Sequence, residues 1–165
     1  MDAITLLKAD HKAVAKLFRE YKAAQKAGRR DRTKIVGQII EELSMHAAIE
    51  EQVFYPAVRA EAPDLEDDVL ESLEEHHVIK WTLAELAATN LDDERYDAKV
   101  TVLIEEVRHH VEEEERDWFP EVREALGRAR LRELGQDLAA AKKKAPRVPE
   151  PELVVGRQSR ALSAS

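Results

Sequence analysis

"HAAIEEQVFYPAVR", residues 46–59, returns later in the same chain as "HVEEEERDWFPEVR", residues 110–123. His, then Glu four positions on, then a second Glu, an aromatic pair, Pro, Val and Arg recur at matching offsets. A His and a Glu four residues apart lie on one face of a helix, separated by about 6 Å along the axis and roughly 40° around it. The phrase therefore presents two metal-ligating groups side by side, and it does so twice.

The surrounding pattern is helical. Apolar positions Ile4, Leu7, Val14, Phe18 and Tyr21 step by threes and fours, which predicts a first helix from about Asp2 to about Ala27, closed by Gly28. A second runs from about Thr33 to about Glu61 with Val36, Ile39, Leu43, Val53 and Ala57 inward. Pro63 and Asp64 start a third, which reaches about Asn90 and turns Val69, Ile79, Leu83 and Leu86 inward. The fourth spans about Asp93 to about Leu126, with Val100, Leu103, Val107, Val111 and Trp118 inward. Four such helices with short connections predict an all-α, antiparallel up-down four-helix bundle over 1–126. Residues 127–144 read as a shorter fifth helix, and 145–165 as an extended or flexible tail in which Leu153, Val154 and Val155 are the apolar part.

Composition narrows the chemistry. The 165 residues carry 26 Lys+Arg against 34 Asp+Glu, a net charge of −8, which disfavours phosphate backbones and so nucleic acid. With no cysteine, thiolate nucleophiles and sulfur-ligated metals are excluded. No apolar run approaches the roughly 20 residues of a membrane span and the start lacks a signal-peptide pattern, so a cytoplasmic location is expected.

The seams contain residues that an apolar core should refuse. Extending each by its own rhythm gives Leu7, His11, Val14 in the first helix and Leu43, His46, Glu50, Val53 in the second. The third gives Ser72, His76, Ile79, and the fourth Val107, His110, Glu114, Asp117. A buried, unpaired imidazole or carboxylate costs roughly 2 kcal/mol or more. Six of them at one depth are explained by a pair of metal ions, and all-nitrogen/oxygen donors suit iron or manganese, with zinc as a further possibility. A lone seam histidine is more often a satisfied core residue, and Glu51, Glu112, Glu113 and Glu115 read as solvated neighbours. His77 and His109 adjoin His76 and His110. One residue is a turn of about 100°, so each adjacent pair has one inward member. The repeat selects His110, and the alignment of "DHKAVAKLFREY" with "EHHVIKWTLAEL" selects His76.

His11, "HAAIE", His76 and "HVEEE" together resemble the hemerythrin-like family, the HHE cation-binding domains, over about residues 1–126. The resemblance implies two iron ions bridged by the carboxylates and by an oxo or hydroxo group. Its ligands fall on His11, His46, Glu50, His76, His110 and Glu114. Oxygen-carrying members have a fifth histidine one turn along the third helix, where this chain has Lys80. Its absence turns the expectation from O₂ carriage toward chemistry on peroxide, O₂ or nitric oxide, peroxide first. An iron or oxygen sensor, or a storage or carrier protein, is the alternative. His77 is a possible replacement donor if it swings inward. Tyr55 is another: Pro56 removes a helix N–H and can open a wider turn that brings the phenol in, against the simpler reading of a tyrosine packed at the bundle end. Phe54 and Trp118 are expected to wall the site from solvent.

Overall fold

The computed structural model describes residues 1–150. Helix α1 is Ala3–Lys26. Asp2 caps it by accepting the amide of Thr5 at 2.8 Å, and Arg123 donates to the same carboxylate. It ends as the sequence predicts, with Gly28 at φ 66°. The amide of Arg29 returns to the carbonyl of Ala24, and that of Gly28 to Gln25, which satisfies carbonyls the helix leaves open.

Helix α2 occupies 32–61 in three continuous parts: α-helical over Arg32–Ile49, π-helical over Glu50–Phe54 and α-helical over Tyr55–Glu61. A short 3₁₀ turn, Pro63–Leu65, leads into α3, Glu66–Ala88. Helix α4 starts at Tyr96, three residues later than expected, because 93–95 form a turn. It is α-helical over Tyr96–Glu112, π-helical over Glu113–Trp118 and continues from Phe119. Gly127, at φ 73° and ψ 170°, breaks it, and the residues after the break form α5, ending at Lys142. Residues 145–150 carry no helix, and Leu153, Val154 and Val155 lie outside the described residues.

Four long helices form the bundle and α5 folds back on one end. Among the described residues no helix is long and apolar enough to cross a membrane. The core falls into two apolar clusters. One contains Leu7, Ile49, Phe54, Val69, Trp118 and, from α5, Leu131, Leu134 and Leu138. The other contains Val14, Phe18, Leu43, Ile79, Leu83 and Val107. In every helix of the bundle the seam histidine lies between a member of the first cluster and a member of the second, so a polar layer separates two apolar ones.

The π turns correct the seam. Each inserts one residue, which advances the following side chains by about 100°. Beyond Glu50 the inward residues are Phe54 and Val58, both fully buried, rather than Val53 and Ala57. Beyond Glu114 the inward residue is Trp118, and Asp117 is exposed.

Two glycines test the packing of α5 against the bundle. A Cβ on Gly135 would lie 2.3 Å from the Met1 carbonyl oxygen, whereas one on the exposed helical Gly37 would meet nothing within 4 Å. Thermal or urea unfolding should show Gly135→Ala destabilised by roughly 1–3 kcal/mol. Gly37→Ala should be stabilised by about 0.5–1 kcal/mol.

Candidate metal centre

The six seam residues converge. Glu50 and Glu114 are 0 % exposed, and His11, His46, His76 and His110 are buried with them. The imidazoles form two pairs: the Nε2 atoms of His11 and His46 are 3.1 Å apart, as are those of His76 and His110. Each carboxylate reaches one ring of each pair. Glu50 Oε2 lies 3.3 Å from His46 Nε2 and 3.2 Å from His76 Nε2. Glu114 Oε2 lies 3.3 Å from His11 Nε2, and its Oε1 lies 3.6 Å from His110 Nε2.

A π turn follows each of these carboxylates. The amide of Tyr55 bonds back five residues to the carbonyl of Glu50, and that of Phe119 to Glu114. Pro56 and Pro120 follow at once, so the chain has a reason to widen at both places. The widened turn carries Tyr55 into the layer rather than leaving it packed at the bundle end. Its hydroxyl donates to Glu114 Oε1 at 2.8 Å and lies 3.2 Å from both Glu50 Oε2 and His76 Nε2. The matching Phe119 stacks on His11 and offers no donor. His77, the other candidate for a replacement ligand, stays out: its ring makes no hydrogen bond to the cluster, and its Nδ1 is buried without a partner. Lys80 does not reach inward either; its ammonium donates to Glu51 at 2.7 Å.

Sequence reasoning missed the carboxylates behind the rings. His11 Nδ1 faces Glu115 at 2.8 Å, His76 Nδ1 faces Glu51 at 3.0 Å and His110 Nδ1 faces Glu75 at 3.0 Å. His46 Nδ1 lies 3.5 Å from Asp10, longer than a hydrogen bond. Glu51 and Glu115 are therefore not idle solvated neighbours. The acids form a circuit, in which α1 supports the histidine of α2, α2 that of α3, α3 that of α4 and α4 that of α1. The signal in the sequence was adjacency: Asp10 and Glu75 precede an inward His, and Glu51 and Glu115 follow an inward Glu. A carboxylate on Nδ1 fixes the tautomer and aims the Nε2 lone pair at the layer's centre.

The outer acids carry cations in turn. Lys142 of α5 donates to Asp10 at 2.5 Å, Lys80 serves Glu51, and Lys8 lies 3.8 Å from Glu115. Behind Glu75 stands His109, which is 66 % exposed and also 3.1 Å from Glu113; these three form a separate, partly exposed group. Burial alone would raise the Asp10 carboxyl, but His46 and Lys142 outweigh it and hold it below the usual range. Glu51 behaves likewise beside His76 and Lys80.

The inner layer fits cations. Two nitrogens held about 2.1 Å from one ion at near right angles would sit about 3 Å apart, close to the observed pairs. One oxygen of Glu50 and one of Glu114 are buried with no hydrogen-bond partner. Without ions the layer depends on protons. Burial would lower the His11 imidazole, but Glu114 and Glu115 push it up to about 10; Glu50 and Glu51 likewise push His76 up to about 9 against its burial. Burial would raise Glu114, yet the charges of His110 and His11 hold it down to about 2.

Two groups of donors able to hold an ion thus share Glu50: His11, His46, Glu50 and Glu114, and Glu50, His76 and His110. The family comparison matches this arrangement, since the hemerythrin HHE cation binding domain covers residues 2–122 and so all six inner residues. The chain belongs to the hemerythrin HHE cation-binding domain family. HHE domains bind metal ions, and the inner layer contains His and Glu groups able to hold one. The crystal structure of an HHE cation-binding domain-containing protein from Mycobacterium kansasii has the same fold. It superposes with a TM-score of 0.74 at 26 % identity, covering 87 % of this chain and 86 % of that one. The chain is also 30 % identical over 147 residues to a protein of Nostoc sp. described as a DNA nickase. That match takes in 87 % of this chain but 40 % of the relative, so this HHE chain spans about two fifths of its length.

The raised imidazoles give a test on metal-free protein. A folded pKa above the unfolded value contributes stability fully below about 6.5, and that contribution is lost as the pH rises through the folded values. Metal-free protein should therefore melt progressively lower as the pH climbs from about 6.5 through about 9 to about 10. Protein saturated with metal should not show that loss, because its imidazoles no longer carry the protons. Melting curves at a series of pH values, with and without metal, check both statements.

Proposed function

We propose that the inner layer holds two iron ions and that the protein uses them to decompose peroxide. His11 and His46 would hold one ion and His76 and His110 the other, with Glu50 and Glu114 each within reach of one ring of both pairs. The observation that best supports this is that each carboxylate reaches one imidazole of each pair. The donors are all nitrogen and oxygen, which suits iron.

Tyr55 is the feature that moves the reading away from oxygen carriage. Its hydroxyl stands beside His76, on the side of the layer for which the sequence lacks a fifth imidazole. Burial, with the charges of Glu114 and Glu50, keeps the phenol protonated well above its usual range in metal-free protein. A neighbouring cation opposes that effect and favours an oxygen donor there. Bound iron supplies paired one-electron changes, which suit a two-electron reaction. In peroxide decomposition one molecule gives up two electrons and two protons, another takes them, and O₂ and water leave, so no outside reductant is needed. The chain's own part is to orient and to exclude. Glu115, Glu51 and Glu75 fix the tautomers of His11, His76 and His110, and the two apolar clusters keep bulk water from the layer.

A second reading has one observation in its favour. Lys142, on a helix beyond the family match, reaches Asp10 and through it His46. Occupancy of the layer is thereby linked to the docking of α5, which a partner of a sensor would read.

Iron-loaded protein should evolve O₂ on adding peroxide, followed with an oxygen electrode. A stable, reversible O₂ adduct with no turnover would move the protein to the carrier class. Tyr55→Phe should keep most of the iron, lose any phenolate-to-iron absorption in the visible and slow turnover by roughly tenfold or more. Separately, metal analysis should show iron lost in His46→Ala, His110→Ala and His76→Ala but retained in His77→Ala and His109→Ala. Equal retention in all five would show that the seam is not the metal site.

A further inference from the structure

The rings of the four inner histidines have an apolar side. A cavity of about 20 Å³ lies against them, walled by Val14, Leu43, Ile79, Val107 and Val111. It has room for one water-sized molecule. This wall belongs to the second apolar cluster. On the opposite side of the layer Phe54 and Trp118 pack on each other and on Tyr55 and Phe119.

Outside this chamber a groove of about 450 Å³ runs between α1 and α4. The groove and the chamber share four residues, His11, Val14, Val107 and Val111. Those shared side chains lie between this groove and the chamber. Val14 and Val107 are buried and Val111 is half-buried. Lys12, Arg108 and Arg116 face Glu112 and Glu115 along the rim, so neither sign of charge dominates. A second groove of similar volume lies between α2 and α3, beside Tyr55, Glu51 and Leu73, but it shares no residue with the chamber.

We infer that the α1/α4 groove is the passage to the cluster, that Val14, Val107 and Val111 close it, and that the chamber admits uncharged molecules no larger than peroxide. The inference rests on the reading of the inner layer as a metal site. Its selectivity follows from two features. The chamber's volume excludes a branched alkyl group, and the valines that an anion must pass to reach it offer nothing in exchange for lost water. Passage requires the valine side chains to move aside, a gating motion of the kind that sets rates of access in closed sites. Val111, being half-buried at the groove floor, is the member most open to substitution.

Three variants test it: Val111→Phe, Val111→Ala and, for the other groove, Leu73→Phe. The first probe is nitric oxide, its association with iron(II)-loaded protein followed by stopped flow. Val111→Phe should slow association by about tenfold or more with unchanged iron content, Val111→Ala should speed it, and Leu73→Phe should leave it alone. Val111→Ala should also gain turnover of tert-butyl hydroperoxide relative to hydrogen peroxide. The second probe needs no metal. Dissolved O₂ is paramagnetic, so in metal-free protein it should broaden the methyl resonances of Val14, Leu43 and Ile79, and Val111→Phe should abolish the broadening. If the protein holds no iron, this measurement still decides the passage while the metal reading falls. If iron is held without peroxide turnover, nitric oxide association decides it. Unchanged association and broadening in Val111→Phe, or slowing by Leu73→Phe, would overturn the inference.

Discussion

Six ionisable side chains in one layer of an apolar bundle cannot stand alone. Two buried carboxylates and four buried imidazoles each lose several kcal/mol of hydration, and no single pair repays that loss. The layer is tenable only as a unit, neutralised by shared protons or by cations. Much of the surrounding structure serves that constraint. The apolar clusters lie on either side of it, the π turn after Glu50 delivers the Tyr55 hydroxyl, and the outer acids stand behind the rings.

The circuit of outer acids also joins the helices. Each acid comes from the helix neighbouring the one whose histidine it supports, so the orientation of a ring depends on the packing of two helices at once. Packing and ligation are therefore linked, and an ion that binds the inner layer stabilises the bundle by the same free energy. Through Lys142 and Asp10 that linkage extends to α5. A helix outside the matched family domain thus becomes part of the support for one inner histidine.

The bundle was legible because its signal is periodic. Apolar steps of three and four placed four helices and the six polar intruders, and the repeated His-x-x-x-Glu phrase set their phase. What was hidden was hidden for local physical reasons. A π turn advances the phase by one residue without altering the composition, so the periodicity puts Val53, Ala57 and Asp117 inward, whereas Phe54 and Val58 take the first two places, Asp117 is exposed and Trp118 alone is inward as expected. Pro56 was the clue to the wider turn and hence to Tyr55. The outer acids were passed over because Glu51 and Glu115 lie off the ideal seam, among other acids. Only the contact between neighbouring helices shows that off-seam residues back the rings. The side from which the cluster is approached had no counterpart in the periodicity, since it depends on which helix pair leaves a groove.

Iron K-edge X-ray absorption of the loaded protein, with the iron content of the same sample, tests the central claim most directly. The account predicts two irons per chain, a first shell of nitrogen and oxygen only, and iron–iron scattering at no more than about 4 Å. One iron per chain, or two with no iron–iron scattering, would contradict a centre in which Glu50 and Glu114 are shared by two ions.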